Sequence, residues 1–144
     1  LGKVTPLAKV GTDPNRLHSY TQAFRDQQVS DLFKGTPYAF HQFLKTDGYA
    51  NSPLDGLWLR GPYLHNGSVP TLADLLAPPT ERPKMFLRGG DVIDPRGGFV
   101  SPACTEGHGC FDTTVRGNSN AGHLWGIDLP SPDKADLIAY LLTF

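Results

Sequence analysis

The sequence lacks the features that mark several common classes of protein. Its 13 basic and 14 acidic residues nearly cancel, and no run of lysine and arginine stands out, which argues against nucleic-acid binding. No apolar run approaches the length of about 20 residues that a membrane-spanning helix needs, and no signal peptide is visible at the start. The G-x-S-x-G motif of serine hydrolases is also absent. These absences count against a nucleic-acid-binding protein, a membrane span in this chain and a hydrolase.

Residues that favour regular structure are scarce as well. Only 39% of the 144 residues are hydrophobic, whereas 16 are glycine and 13 are proline. We therefore expect a mainly α fold, with short helices joined by long ordered loops, that needs a disulfide, a metal, a large cofactor or a partner surface to organise its core. Because the chain starts at Leu1 and not at a methionine, we expect a processed product or one piece of a longer precursor.

The only two cysteines lie six positions apart. Cys104 and Cys110 stand in "PACTEGHGCFDT", where glycines permit a tight return of the chain. A small disulfide loop is the expected state, and free thiols or a metal site that also uses His108 are the alternatives. A disulfide would imply an oxidising compartment, such as a bacterial periplasm or the cell exterior.

The first third of the chain gives weak structural signals. Residues 1–18 look like an extended lead-in without a helix, with a turn at "GTDPN". Residues 19–35 have apolar positions at a loose helical spacing, and Gly35 would end that helix. Its apolar face would consist of Tyr20, Phe24 and Leu32 or Phe33. His41 is expected to pack with Phe40, Phe43 and Leu44; like His18 and His108, it is interpreted as structural or merely exposed.

Two helix starts are better defined. Thr71 is a predicted N-cap, and Asp74 three residues later suits the exposed N–H groups of a first turn. The prolines at 78–79 would stop this helix. Near the end of the chain, Ser131 is the predicted N-cap and Pro132 the first helical residue. This last helix repeats its apolar residues at helical spacing, through Leu137, Ile138, Leu141 and Leu142.

An aromatic and apolar strip precedes the Thr71 helix, and it has neither a clean helical nor a clean strand period. It contains Trp58, Leu59, Pro62, Tyr63, Leu64 and His65, with Arg60 as its cation. Such a set suits the lining of a site for a flat, apolar, anionic ligand, and an ordinary core loop is the alternative. Residues 84–122 hold almost no periodic pattern, and a loop of this length is usually functional or pinned.

Two stretches resemble a known family. "LDGLWLRGPYLHNGSVPTLADLL" is similar to the "APY-x-H-x-G-S-x-x-T-L" stretch of bacterial di-haem cytochrome c peroxidases and the related rubber-oxygenase group. The matching residues are Pro62, Tyr63, His65, Gly67, Ser68, Thr71 and Leu72. The glycine-rich loop around His123, followed by "SPDKADLIAYLLTF", looks like the C-terminal end of a c-type cytochrome domain.

The chain departs from this family at two points. The haem-attachment motif Cys-x-x-Cys-His is absent, because Phe111 and not a histidine follows the second cysteine. Relatives often place an axial methionine where Pro79 stands here, and the only methionine, Met85, lies farther on. The resemblance therefore implies that His123 is the metal ligand. It also implies a c-type haem that is covalently attached outside this chain, either upstream in the same precursor or on a second chain with Cys-x-x-Cys-His.

The loop around His123 suits that role. Its glycines at 117, 122 and 126 allow close approach to a porphyrin, and Asn118, Ser119 and Asn120 are candidates to hydrogen-bond the second imidazole nitrogen. The resemblance places His65 beside the haem, where with Arg60 and Tyr63 it would contact the propionates or the edge; direct ligation and a plain structural role are the alternatives.

The function implied is that of a haem-binding electron-transfer segment of a c-type cytochrome in the bacterial cell envelope, periplasmic or extracellular, with a redox protein as partner. Residues 1–144 would form a single segment that completes a haem domain. Cofactor contacts are expected from Trp58, Arg60, Pro62, Tyr63, Leu64, His65, Leu124 and Trp125, and no catalytic residue is predicted. The alternatives are a subunit or fragment of a di-haem peroxidase or oxygenase, and a haem-free interaction module.

Overall fold

The computed structural model describes residues 2–41, 44–105 and 109–144, so the predictions for Phe43 and His108 fall outside the described residues. Within these ranges the helices are α1 (Leu7–Val10), α2 (Asn15–Ser19), α3 (Gln22–Ser30), α4 (Leu72–Leu75) and α5 (Ser131–Leu141), with one 3-10 turn at Leu57–Leu59. Two antiparallel pairs of strands join β1 (Val4–Pro6) to β2 (Gly48–Ala50) and β3 (Met85–Leu87) to β4 (Cys110–Asp112). None of these helices has both the length and the apolar character that crossing a bilayer requires.

The expectation of a mainly α fold is wrong. Helices hold 26% of the described residues and 14% have β structure, so the fold is mixed α and β. Each strand is only three residues long and pairs with a strand far away in the sequence. A three-residue strand is too short to show an alternating pattern, which is why periodicity did not indicate either sheet.

The N-terminal region also differs from the prediction. β1, α1 and α2 lie within residues 2–19, whereas residues 1–18 were expected to form an extended lead-in without a helix. The helix predicted over 19–35 is shorter, because α3 begins after its N-cap Thr21 and ends at Ser30. Its predicted apolar face is not a core face: Phe24, Leu32 and Phe33 are between 41% and 51% exposed. His41, expected to pack, is exposed.

The core is centred on Tyr63, Val69 and Leu72. Tyr63 and Val69 form a β-bridge, and the Tyr63 hydroxyl donates to the carbonyl of Leu57 at 3.1 Å. Burial raises the pKa of Tyr63 to about 12, so the ring stays neutral. Partly buried leucines and one isoleucine complete this core, namely Leu57, Leu64, Leu75, Ile138, Leu141 and Leu142.

The two predicted helix starts have different outcomes. The hydroxyl of Thr71 accepts from the backbone N–H of Asp74 at 3.1 Å, and the Asp74 carboxylate accepts from the N–H of Thr71 at 3.2 Å, which confirms the predicted cap. The predicted cap of the last helix is wrong in detail. Ser131 is already the first helical residue, Pro130 holds the cap position, and no side chain caps the helix.

The disulfide is confirmed. Cys104 and Cys110 are bonded, with their Cα atoms 6.0 Å apart. Cys110 is also the first residue of β4, and its partner Leu87 in β3 lies directly opposite. The disulfide therefore ties the segment before β4 to the β3–β4 pair.

Reduction of the disulfide should lower the free energy of unfolding by about 2 kcal/mol, because a short closed loop restricts the unfolded chain by an amount of that order. Urea denaturation with and without reductant measures the difference. The double variant Cys104→Ser/Cys110→Ser is the control and should not respond to reductant. Alkylation of both thiols in the native, unreduced protein would contradict the bond.

Candidate functional site

An apolar cavity of about 550 Å³ lies between the 3-10 turn, α4, α5 and the loop before α5. Its lining is mostly leucine, with one imidazole. The lining residues are Leu54, Leu57, Leu72, Leu75, Leu76, His123, Trp125, Gly126, Leu129, Leu137 and Leu141. We call this space the leucine cavity. Its volume is within the range of about 300–1,000 Å³ that is typical of ligand and cofactor pockets.

The sequence places the leucines on this cavity through helical spacing. In and just after α4, Leu72, Leu75 and Leu76 follow the i, i+3, i+4 pattern of one helix face. In α5, Leu137 and Leu141 are four residues apart and also share a face. Because the two faces meet at the cavity, its wall is apolar on both sides.

His123 is the polar side chain at this wall. Its backbone has a positive φ of 51°, and its N–H donates to the carbonyl of Val10 at 2.8 Å. The Nδ1 atom is buried and has no hydrogen-bond partner among the residues that the structure describes. Burial lowers the pKa of His123 and the charge of Arg82 lowers it further, although its own carbonyl acts in the opposite sense. The imidazole is thus neutral at pH 7, which is the form that binds metals.

The buried guanidinium of Arg82 holds the loop that carries His123. Arg82 is only 2% exposed. Among the described residues it makes five hydrogen bonds, of 2.5 to 3.2 Å, all to backbone carbonyls, those of Leu75, Ala77, Asn120, Gly122 and His123. Burial lowers the pKa of Arg82, and the charge of Asp74 opposes this shift. Because the five carbonyls belong to the end of α4 and to the loop, one side chain links both sides of the leucine cavity.

Amide and hydroxyl groups anchor the preceding part of the loop. Asn66 Nδ2 donates to the carbonyls of Gly117 and Ser119, at 3.1 and 2.9 Å. Ser68 Oγ donates to the same Ser119 carbonyl at 3.0 Å. The three residues predicted to hydrogen-bond the imidazole have other partners. Asn118 Nδ2 donates to the carbonyl of Asp112, and Asn120 Nδ2 donates to the carbonyl of Pro83. Ser119 Oγ accepts from the N–H of Ala121. Their side chains therefore fix the loop backbone.

Of the predicted cofactor contacts, Trp125 joins His123 in the lining of the leucine cavity. Tyr63 and Leu64 lie in the core that packs against Leu72. Trp58, in the 3-10 turn, accepts a hydrogen bond from Gly98 through its carbonyl. The exposed Arg60 donates to the carbonyl of Pro53. In the described part of the chain, none of these four residues lines the leucine cavity. The same is true of the remaining predicted contacts, Pro62, His65 and Leu124.

His65 stacks on Tyr49 and does not line the leucine cavity in the described part of the chain. The two rings are nearly parallel, at 11°, with centroids 3.2 Å apart. Partial burial of the stacked ring lowers the pKa of His65, and His123 and Arg16 shift it in the same direction. The ring of His65 therefore stacks on Tyr49, and the charges of Arg16 and His123 act on it.

The comparisons with known proteins match part of this chain. Residues 48–87 match the family described as RoxA-like, cytochrome c-like. The uncharacterized protein y4iJ of Sinorhizobium fredii (strain NBRC 101917 / NGR234) is 46% identical over 106 residues, which cover 66% of this chain and 17% of that protein. The uncharacterized protein y4iM of the same strain is 40% identical over 122 residues, which cover 67% of this chain and 27% of that protein. The chain thus spans about a quarter or less of these relatives.

The chain therefore contains a RoxA-like, cytochrome c-type region. This region supplies one wall of the leucine cavity, through Leu54, Leu57, Leu72, Leu75 and Leu76. His123 and the leucines of α5 lie outside the matched residues. The cavity is thus formed by the matched region together with the C-terminal part of the chain.

Replacement of Arg82 by lysine should lower the free energy of unfolding by about 3 kcal/mol, because lysine cannot reach carbonyls on two segments and leaves buried acceptors without donors. Urea denaturation of the purified chain measures the loss. The matched control is Arg60→Lys, at an exposed arginine with one backbone bond, which should change stability by no more than about 0.5 kcal/mol. Equal effects of the two substitutions would contradict the role assigned to Arg82.

Proposed function

We propose that this chain is a haem-binding electron-transfer segment of a c-type cytochrome of the bacterial cell envelope. In this proposal the leucine cavity takes the haem and His123 supplies an axial ligand to its iron. The observation that carries the proposal is a half-buried imidazole, with a buried Nδ1 that has no partner among the described residues, at the wall of a cavity otherwise lined mostly by leucine. The match of residues 48–87 to a cytochrome c-like family supports the same cofactor.

The residues present fit a haem. A porphyrin is flat and apolar over most of its area, and the leucines of α4 and α5 offer such a group an apolar wall on two sides. A porphyrin provides four nitrogen ligands to its iron. On one side of the porphyrin the protein therefore needs to add only one imidazole. The buried Nδ1 of His123 has no hydrogen-bond partner among the described residues, so this nitrogen is available to a ligand. When bound, haem supplies one-electron redox chemistry.

The chain's own cysteines favour attachment of the haem elsewhere. Cys104 and Cys110 are bonded to each other, so neither offers a free thiol for a thioether link. The attaching Cys-x-x-Cys-His motif would then lie upstream in the same precursor or on a second chain. The histidine of that motif, together with His123, would hold the iron, and a haem held in this way would supply electron transfer without peroxide or oxygen binding. A disulfide is also expected of a periplasmic or extracellular protein.

A second candidate is a part of a larger di-haem peroxidase or oxygenase. The observation that favours it is the length of the relatives, since this chain spans 17% of one and 27% of the other. In that case the haem at His123 would pass electrons to a second, substrate-binding haem. Peroxide turnover by the whole protein, together with a second Cys-x-x-Cys-His motif, would favour this candidate.

Titration of the chain with a haem c peptide tests the proposal. The probe is a short peptide that carries Cys-x-x-Cys-His with its covalently attached haem, and its iron has one axial position open. The wild-type chain should convert the ferric spectrum from high-spin to low-spin at one equivalent, because His123 fills the open position. His123→Ala should leave the spectrum high-spin, and added imidazole should restore the low-spin form.

His41→Ala is the matched control, because His41 is exposed and belongs to no wall of the leucine cavity. It should behave like the wild type. A low-spin adduct that persists in His123→Ala would contradict the assignment of His123. If it were lost in His65→Ala instead, His65 would be the ligand. No low-spin adduct with any form of the chain would contradict the haem site itself.

His123→Met should raise the reduction potential of the adduct. A thioether is a weaker donor to ferric iron than an imidazole, and the choice of axial ligand moves haem potentials within a range of roughly 0.8 V. A spectroelectrochemical titration of the wild-type and variant adducts measures the change. A potential that is equal in both would show that the side chain at position 123 does not bind the iron.

A further inference from the structure

A second cavity lies between α2 and the segment that leads into β2. It is open to solvent and has a volume of about 290 Å³, near the lower end of the range for ligand pockets. Its walls include Arg16, Leu17, Tyr20, Leu44, Lys45 and Tyr49. We call this space the Arg16 cavity. It shares no described residue with the leucine cavity, so a ligand could occupy it whether or not a haem is bound.

Two cations line the Arg16 cavity, and no acidic residue is found among the described residues of its walls. The Arg16 side chain forms no hydrogen bond or ion pair within the part of the chain that the structure describes. The Lys45 side chain is only 16% exposed, and its partner Asp47, 3.8 Å away, is fully exposed. Because such an exposed carboxylate compensates a charge only weakly, the cavity has an excess of positive charge.

The phenol of Tyr49 adds a hydrogen-bond donor near Arg16. Its hydroxyl is buried and has no hydrogen-bond partner among the residues described. Burial raises the pKa of Tyr49, and the charge of Arg16 opposes this shift while that of Asp13 adds to it. Asp13 does not line the cavity, and its carboxylate accepts from Asn15 and Ser119. A buried donor without an acceptor is unfavourable, so an acceptor that a ligand brings to Arg16 would also suit this hydroxyl.

Aromatic and aliphatic side chains form the other walls of the Arg16 cavity. The ring of Tyr49 is fixed by its stack on His65, with the centroids 3.2 Å apart. The Tyr20 hydroxyl donates to a glutamine side chain of α3, which fixes the second ring. Leu17 and Leu44 supply aliphatic surface. A flat apolar group can pack against these walls, whereas a simple inorganic anion would use only the cations.

We infer that the Arg16 cavity binds a small aromatic carboxylate, a single ring that carries one carboxylate group. Arg16 holds the carboxylate, because a guanidinium can donate in parallel to both oxygens of that group. Lys45 adds charge, and the ring of the ligand packs against Tyr20 and Tyr49. A single ring suits a space of about 290 Å³. This inference concerns a second ligand and does not depend on the proposed haem site.

An NMR titration of the isotopically labelled chain with benzoate tests the inference. Benzoate should bind at one site and saturate it, with nuclear Overhauser effects between its ring protons and those of Tyr20 and Tyr49. Benzamide has the same shape without the charge and should bind at least about tenfold more weakly, as should acetate, which lacks the ring. Equal affinity for benzoate and either of these two compounds would overturn the inference.

Variants identify the residues that recognise the carboxylate. Arg16→Gln should weaken benzoate binding about tenfold or more, because it removes a charged donor pair. Arg16→Lys, which keeps the charge but loses the fork, and Lys45→Gln should each weaken it severalfold. Arg116→Gln is the matched control, at an exposed arginine outside the cavity, and should have no effect. Unchanged affinity in Arg16→Gln, with a wild-type spectrum elsewhere, would contradict the assignment.

A haem propionate has the same head group, and the haem c peptide distinguishes the two sources. Benzoate should bind the low-spin adduct as tightly as the free chain, because the two cavities have no described residue in common. Loss of benzoate binding in the adduct would show that a propionate takes the place at Arg16 and would overturn the assignment to a free acid. Benzoate binding by a chain that forms no low-spin adduct would support this inference and contradict the proposed function.

Discussion

The geometry of the site depends on the hydrogen bonds that the guanidinium of Arg82 donates to backbone carbonyls. The carbonyl partners of Arg82 belong to the end of α4 and to the loop before α5, segments more than 40 residues apart in sequence. A buried cation needs such compensation, because an unpaired charge in an apolar interior is very unfavourable. Here carbonyl dipoles provide it. The requirement to satisfy Arg82 thereby sets the position of the His123 backbone relative to the leucines of α4.

The site divides its tasks between backbone and side chains. Backbone bonds hold the loop, including His123 in a left-handed conformation that is uncommon for residues other than glycine. The leucines supply an apolar wall, and burial lowers the pKa of the imidazole, which favours its neutral form. No described side chain bonds to Nδ1, so the ring is positioned by the loop and by its edge contact with Trp125. This arrangement supports a ligand role, because a neutral imidazole that is already positioned needs little rearrangement to bind a metal.

Sequence patterns that involve only neighbouring residues predicted the local structure correctly in three places. The Thr71–Asp74 cap, the last helix and the disulfide are determined within a few residues and are present. Features that depend on distant segments were not predicted: the β3–β4 pair, and Arg82, which has no motif around it to indicate a role. The leucines of α4 and α5 were visible as apolar helix faces, but which space they line depends on how the two helices meet. His123 and Trp125 were predicted from a resemblance and a glycine-rich loop, and both line the leucine cavity. Of the aromatic strip before α4, which was predicted to contact the cofactor, Tyr63 and Leu64 lie in the core.

Hyperfine spectroscopy of the ferric adduct can identify the iron ligand itself. The chain is produced with ¹⁵N-labelled histidine and combined with an unlabelled haem c peptide, and electron–nuclear double resonance then records the nitrogens coupled to the iron. We expect one strongly coupled ¹⁵N nucleus, from the imidazole of His123, in addition to the ¹⁴N signals of the porphyrin and of the peptide histidine. The same ¹⁵N coupling should be absent in His123→Ala. A low-spin adduct with only ¹⁴N coupling, or a ¹⁵N coupling that survives in His123→Ala, would contradict the assignment of His123 as the ligand.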